Sequence, residues 1–292
     1  MGKWLTDPRH LRFAVDAGVA RITLDRPERR NALSWPLLQE LRAALLEADD
    51  LRSVAVIVVE GAGPDFCAGY DMKSAYAQYA AEEGAALDYR SGNASFDDDT
   101  WKLERFQELL RTAFVVHKPV IAKVHGHCVA GGTDLALYCD LVIAADDARI
   151  GFPATRAMGS PPNHMWIYHV GPQWAKRLLL TGDVVSGADA ARIGLAVASA
   201  PPERLEDEVM GLARRMATVD AELLAAHKRI VNLALELAGA GTLARLAAET
   251  DARAHLSRAK KAFDEDVAAH GFKAAVRRRD EPFGEGVARP SW

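Results

Sequence analysis

The stretch "SVAVIVVEG", residues 53–61, limits the fold more than any other part of the chain. An unbroken apolar, β-branched run leaves no face for water, so it belongs to a strand buried on both sides. Such a strand needs layers above and below its sheet. "KPVIAKVHG" (118–126) and "DLVIAA" (140–145) repeat the signal, and the shorter "ARIGFP" (148–153) follows. Helical spacing separates them: "SWPLLQELRAALLEADD" (34–50) opens on Ser34 as N-cap, and "GGTDLALYC" (131–139) follows a glycine turn. This alternation predicts an α/β core with crossover helices. Ahead of it, "LRFAVDAGVARITLDRP" (11–27) reads as a hairpin around Asp16–Gly18 that Pro27 ends.

With 292 residues, 49% of them hydrophobic, the chain exceeds the usual single-domain size. Strand signals stop near Pro201, which predicts a main unit over 1–200 and a helical appendage over 201–292. Residues 70–118, including "NASFDDDTW" (93–101), are less regular and are expected to form a mobile cover. Thirty-six Lys and Arg against 40 Asp and Glu, a net charge of −4, give no bulk attraction to nucleic acid or anionic membrane. No apolar run approaches the roughly 20 residues that cross a bilayer. Cys67, Cys128 and Cys139 are odd in number and lack metal-ligand spacing, and no secretory leader is evident. A cytoplasmic protein without a metal site is expected. Neither G-x-x-x-x-G-K-[ST] nor a G-x-G-x-x-G after a strand occurs, which removes nucleotide hydrolysis and NAD chemistry.

Two glycine turns follow buried strands. In "GPDFCAGYDMK" (63–73), Gly69 lets the chain turn so that the Tyr70 amide faces a cleft. In "HGHCVAGGTD" (125–134), Gly131 and Gly132 open a helix whose first amides lack internal partners. Two such amides converging on one point make an oxyanion hole.

In order and spacing, "ITLDRPERRNAL", "FCAGYD", "VAGGTDLALYCDLVIAADDARIGFP" and "GPQWAKRLLLTGDVVSGADAARIGL" resemble the enoyl-CoA hydratase/isomerase, or crotonase, superfamily over nearly the whole chain. The resemblance implies a spiral of repeated ββα units. It also implies that residues 201–292 make trimer contacts and close the CoA pocket, commonly in a dimer of trimers. It further implies an acyl-CoA or enoyl-CoA substrate, no separate cofactor, and a thioester enolate held by the Tyr70 and Gly131 amides. Ala68, Tyr70, Asp71, Met72 and Ala154 are then expected to bind the substrate or its CoA. Arg26, Arg29 and Arg30, with Arg278 from this or a neighbouring subunit, become candidates for the CoA phosphates. Arg278 equally suits a solvated helix end.

Typical hydratases of that superfamily carry two glutamates. Asp134 stands at the first position and Ala154, in "GFPAT", at the second. Half of an acid/base pair is therefore missing, and no Asp or Glu between Asp147 and Asp183 can replace it by shifting the alignment. This favours an isomerase or an atypical hydratase with Asp134 as acid/base, although an aspartate there also suits a helix N-terminus. Asn163 and His164 are candidates for positioning water or carrying a second proton. A silent acyl-CoA-binding protein is the alternative. His125 and His127 read as supporting residues, Cys67 as packing, and the Tyr70 ring as shaping the pocket rather than donating a proton.

Overall fold

The computed structural model describes residues 2–72, Arg90 and residues 95–290. β1 (Leu11–Asp16) and β2 (Val19–Leu24) form the antiparallel hairpin, turned by Ala17 and Gly18 at φ 47° and 80°. Two positive φ angles match the right-handed twist of the flanking strands. α1 (Trp35–Asp50) begins where the Ser34 hydroxyl accepts from the Leu37 amide, and it buries Leu37, Leu38, Leu41 and Leu45. β3 (Val56–Gly61) is buried at every position and lies parallel to β2 on one side and β4 (Val120–Val124) on the other.

The chain then alternates between two sheets. β4 leads to β5 (His127–Val129) and α3 (Gly131–Ala136), which stops short of the expected residue 139. β6 (Leu141–Ala145) leads to β7 (Arg149–Gly151) and α4 (Trp166–Leu179). β8 (Val184–Ser186), α5 (Gly187–Arg192) and β9 (Ala198–Ala200) complete the series. The larger sheet runs β1-β2-β3-β4-β6-β9 and the smaller β5-β7-β8, giving the spiral of ββα units.

Two expectations need correction. Within the segment read as an irregular cover, Phe96–Val115 is a 20-residue helix, α2, capped by the Ser95 hydroxyl on the Asp98 amide; residues 73–89 and 91–94 lie outside the described residues. Its three N-terminal aspartates look disordered in composition, yet they suit the positive end of a helix. The second correction concerns the appendage: α6 (Leu205–Met216), α7 (Ala221–Leu237), α8 (Ala240–His255), α9 (Arg258–His270) and α10 (Phe272–Asp280) are tied into the core. α6 lies on β3, β4 and β6, with Glu206 paired to Arg21 at 2.7 Å and to Lys123. Lys228 of α7, 8% exposed, donates to the Ala113 and Lys118 carbonyls and pairs with Asp140 at 2.8 Å. α8 packs along α2. Among the described residues no single helix is long and apolar enough to cross a membrane.

Candidate active site

Backbone pairing brings the two glycine turns together. The Cys67 amide donates to the His127 carbonyl and the Val129 amide to the Cys67 carbonyl, zipping the first turn onto β5. At Gly69, φ is 102°, and a Cβ would stand 3.0 Å from Ala130 Cβ and 3.4 Å from the Gly131 amide nitrogen. At Gly132 a Cβ would fall 2.5 Å from the Cys67 carbonyl oxygen, so only glycine permits this approach. Leu33 uses its own amide and carbonyl to bond Gly69 and Asp71, bypassing the residue between them. Among the described residues, neither the Tyr70 nor the Gly131 amide donates to a backbone carbonyl.

Both turns border a cavity of about 1100 Å³, lined by Ala68, Tyr70, Asp71 and Met72 on one side and by Ala154 and helices α8 to α10 on another. Asp134 is absent from its wall. It is fully buried, and its Oδ2 accepts from the Tyr70 hydroxyl at 2.9 Å while Oδ1 has no partner. Burial drives the Asp134 carboxyl well above its ordinary value, against the opposing effect of the Tyr70 hydrogen bond. The Tyr70 ring covers Gly131, where a Cβ would meet the ring at 2.9 Å. Tyr70 thus does more than shape the pocket: its hydroxyl is the group on the cavity side of Asp134.

Asn163 and His164 are placed differently from what their sequence position suggests. Asn163, 1% exposed, is fixed on all sides: Nδ2 donates to Gln107 Oε1 at 3.2 Å and to the Asp134 carbonyl at 3.3 Å, and Oδ1 accepts from the Met165 amide. Gln107 Nε2 in turn donates to the Tyr70 hydroxyl at 2.8 Å. The result is a buried chain, Asn163 to Gln107 to Tyr70 to Asp134. His164 lies off the cavity wall beside Ser160 Oγ, and burial lowers its pKa. Cys67 is a packing residue as read, its thiol pushed up to about 12 by burial.

The sequence matches the model of the Enoyl-CoA hydratase/isomerase family over residues 14–285. The chain belongs to that family. A probable enoyl-CoA hydratase of Rhizobium meliloti is 34% identical over 223 residues, covering 75% of this chain and 79% of that protein. The crystal structure of an enoyl-CoA hydratase from Mycobacterium smegmatis superposes with a TM-score of 0.88 at 38% identity, covering 95% of both chains. An enoyl-CoA hydratase/isomerase structure from Xanthobacter autotrophicus gives 0.85 at 34% identity, covering 94% and 98%.

In this enoyl-CoA hydratase/isomerase family member the basic candidates divide. Arg29 and Arg30 line the cavity. Arg29 is exposed and has no carboxylate partner among the described residues, whereas Arg30 binds Asp65 at 2.7 Å. Arg26 does not reach the wall; it is spent internally on Asp71, at 2.7 Å, and on the Ala32 carbonyl. Arg278 pairs with Asp266 and also stands off the wall, while its neighbour Arg279 lies on it. His127 lines the cavity with Nδ1 2.7 Å from Asp65, and His125 bonds the Gly63 carbonyl, both as supports.

Sequence reading missed a group on the helical wall. Asp251 and His255 of α8 and Asp99 of α2 all line the cavity. His255 Nδ1 is 2.6 Å from Asp99 Oδ2, and Nε2 is 3.5 Å from Asp251 Oδ1. The i, i+4 spacing on α8 was a signal for the pair, but Asp99 is brought in only by the fold.

Proposed function

We propose that this protein transforms acyl-CoA or enoyl-CoA thioesters by enolate chemistry, with isomerisation along the acyl chain favoured over hydration. The observation that carries this is the meeting of two glycine turns, each leaving an amide free, at the wall of a large cavity. Donors fixed where charge develops stabilise a thioester oxyanion without reorganising during the step. Ala154 offers no second carboxylate beside them, which fits a reaction that moves one proton between two carbons better than one that adds water. Asp134 acts as acid/base through the Tyr70 hydroxyl: when Tyr70 passes its proton on, the neutral Asp134 resupplies it. Arg29 receives a CoA phosphate, and no separate cofactor takes part.

The protein works as a trimer or a dimer of trimers in the cytoplasm. Support comes from α7 and α8, where Ile230, Val231, Leu237 and Leu246 are each more than half exposed in the single chain. The alternative, an acyl-CoA-binding protein without turnover, is favoured by the sealed position of Asp134. Deuterium incorporation from heavy water into crotonyl-CoA and vinylacetyl-CoA separates the two, run beside melting curves. A ligand at 100 times its Kd is expected to add about 2.7 kcal/mol of stability. Asp134→Asn should keep this shift while exchange falls roughly 10²–10⁴-fold. Stabilisation without exchange in the wild type would establish the binder, and no stabilisation by any CoA thioester would end the assignment.

A further inference from the structure

Three side chains from separate parts of the chain meet on the helical wall of the cavity. Asp251 is 5% exposed, and its Oδ1 accepts from the Ser160 amide at 2.7 Å. A Cβ on Gly159 would stand 2.3 Å from that oxygen and 3.1 Å from His255 Nε2, so the glycine admits the pair. The Gly159 amide also donates to the Ala154 carbonyl at 3.2 Å. The Asp251 carboxylate is therefore bonded to the residue after Gly159, whose amide closes the turn begun at Ala154. We propose that Asp251, oriented by the His255–Asp99 pair, is a catalytic acid/base of this site and supplies the carboxylate that Ala154 does not.

This rests on the thioester reading of the cavity. Asp251 is close enough for its charge to be felt at both Tyr70 and Asp134. Burial holds its carboxyl up at about 6, with the His255 charge and the Ser160 amide favouring the anion and Asp99 opposing it. A group poised there is half-ionised near working pH, which suits proton transfer in both directions. Burial alone would lower the His255 pKa, but the Asp99 hydrogen bond and the charges of Asp251 and Asp99 raise it. The net shift favours the imidazolium beside the carboxylate. The other charged groups near the trio are Lys260 of α9, felt at His255, and Asp264, which pairs with Lys260 at 2.6 Å.

The step balances within the substrate. The Asp251 carboxylate takes a proton from Cα of a β,γ-enoyl thioester, and the C–H pair becomes the π bond between the carbonyl carbon and Cα in the dienolate. The carbonyl π pair moves to the oxygen held by the Tyr70 and Gly131 amides. The neutral Asp251 then gives its proton to the Cβ–Cγ π pair at Cγ, the pair between the carbonyl carbon and Cα moves to Cα–Cβ, and the oxygen pair re-forms the carbonyl, leaving the α,β-enoyl thioester.

The test is conversion of vinylacetyl-CoA to crotonyl-CoA across pH 4.5–8 by wild type, Asp251→Asn and His255→Gln, each checked by its melting curve. Asn at 251 can still accept from Ser160. Wild-type kcat/KM should rise with pH through about 6 as the carboxylate forms. Asp251→Asn should lose roughly 10²–10⁴-fold with KM little changed. His255→Gln keeps the carboxylate but removes the adjacent cation, so the rising limb should move to higher pH. A folded Asp251→Asn with wild-type rate and pH profile overturns the proposal and leaves the thioester reading standing. If that variant does not fold, an unmoved limb in His255→Gln overturns it instead. A wild type that binds the thioester but converts none overturns the role of Asp251 and leaves the acyl-CoA binder, and one that binds none overturns the thioester reading of the cavity as well.

Discussion

Asp134 and Asp251 are both carboxylic acids raised by burial, yet their surroundings differ in kind. Among the described residues, Asp134 has one oxygen bonded to Tyr70, one unpartnered, and no ion pair with a cation. Asp251 has a backbone amide, a neighbouring imidazole and a place on the cavity wall. Burial alone keeps an acid neutral and removes it from solvent. A useful proton carrier also needs access and something that stabilises its anion. The first site is sealed by a phenol, and the second opens through contacts made by a different part of the chain.

Joining the two substitutions gives the largest effect and can break this division of labour. Each single change is expected to lower isomerisation by roughly 10²–10⁴-fold, whereas the double variant should fall no more than about tenfold below the weaker single. Losses that multiply fully, measured with vinylacetyl-CoA, would show that the two acids serve independent steps.

A thermodynamic contrast comes next. The Asp251 carboxyl moves from 3.8 to about 6 on folding, a difference worth about 3 kcal/mol. Because its folded value is raised, the contribution is fully present below pH about 4 and disappears as pH rises through about 6. Urea unfolding at pH 4, 5, 6 and 7 should therefore show a flatter curve for Asp251→Asn than for the wild type. Asp134→Asn should flatten the curve as well, because burial keeps the folded-state carboxyl well above its ordinary value while the unfolded chain loses that proton from about pH 4. A curve left unchanged by either substitution would show that folding does not raise that carboxyl.

The smallest effect probes the seal. Tyr70→Phe leaves Asp134 without its donor and Gln107 Nε2 without its acceptor, deep in the core. A loss of about 1–3 kcal/mol is expected from these unpaired groups, read as a lower melting temperature. No loss would mean that water reaches Asp134 readily and that the seal is not tight.

Much of the scaffold was legible in the residues. The runs at 53–61, 118–126 and 140–145 could only be strands with both faces covered, and Ser34 marked a helix start as read. α2 was missed although Ser95, the aspartates at 97–99 and the spacing of Leu103, Phe106, Leu110 and Phe114 all signal a capped helix. The acidic cluster outweighed the periodicity. At the site, Gly69 and Gly131 were found because close backbone approach needs glycine, a demand written into local sequence. Gln107, Asp251 and His255 were passed over because each is an ordinary polar residue on an amphipathic helix.

The sequence by itself determined the layered core, the two glycine turns and the absence of a carboxylate at residue 154, because buried periodicity and missing side chains are local facts. The tertiary structure alone decided that Asp134 lies behind Tyr70, that Arg26 is spent on Asp71, and that α8 carries Asp251 to the cavity. These depend on which residues far apart in the chain share a low-dielectric space, where a single neighbour sets both charge and access. Asp99 and His255, 156 residues apart, meet at 2.6 Å only because α8 packs along α2.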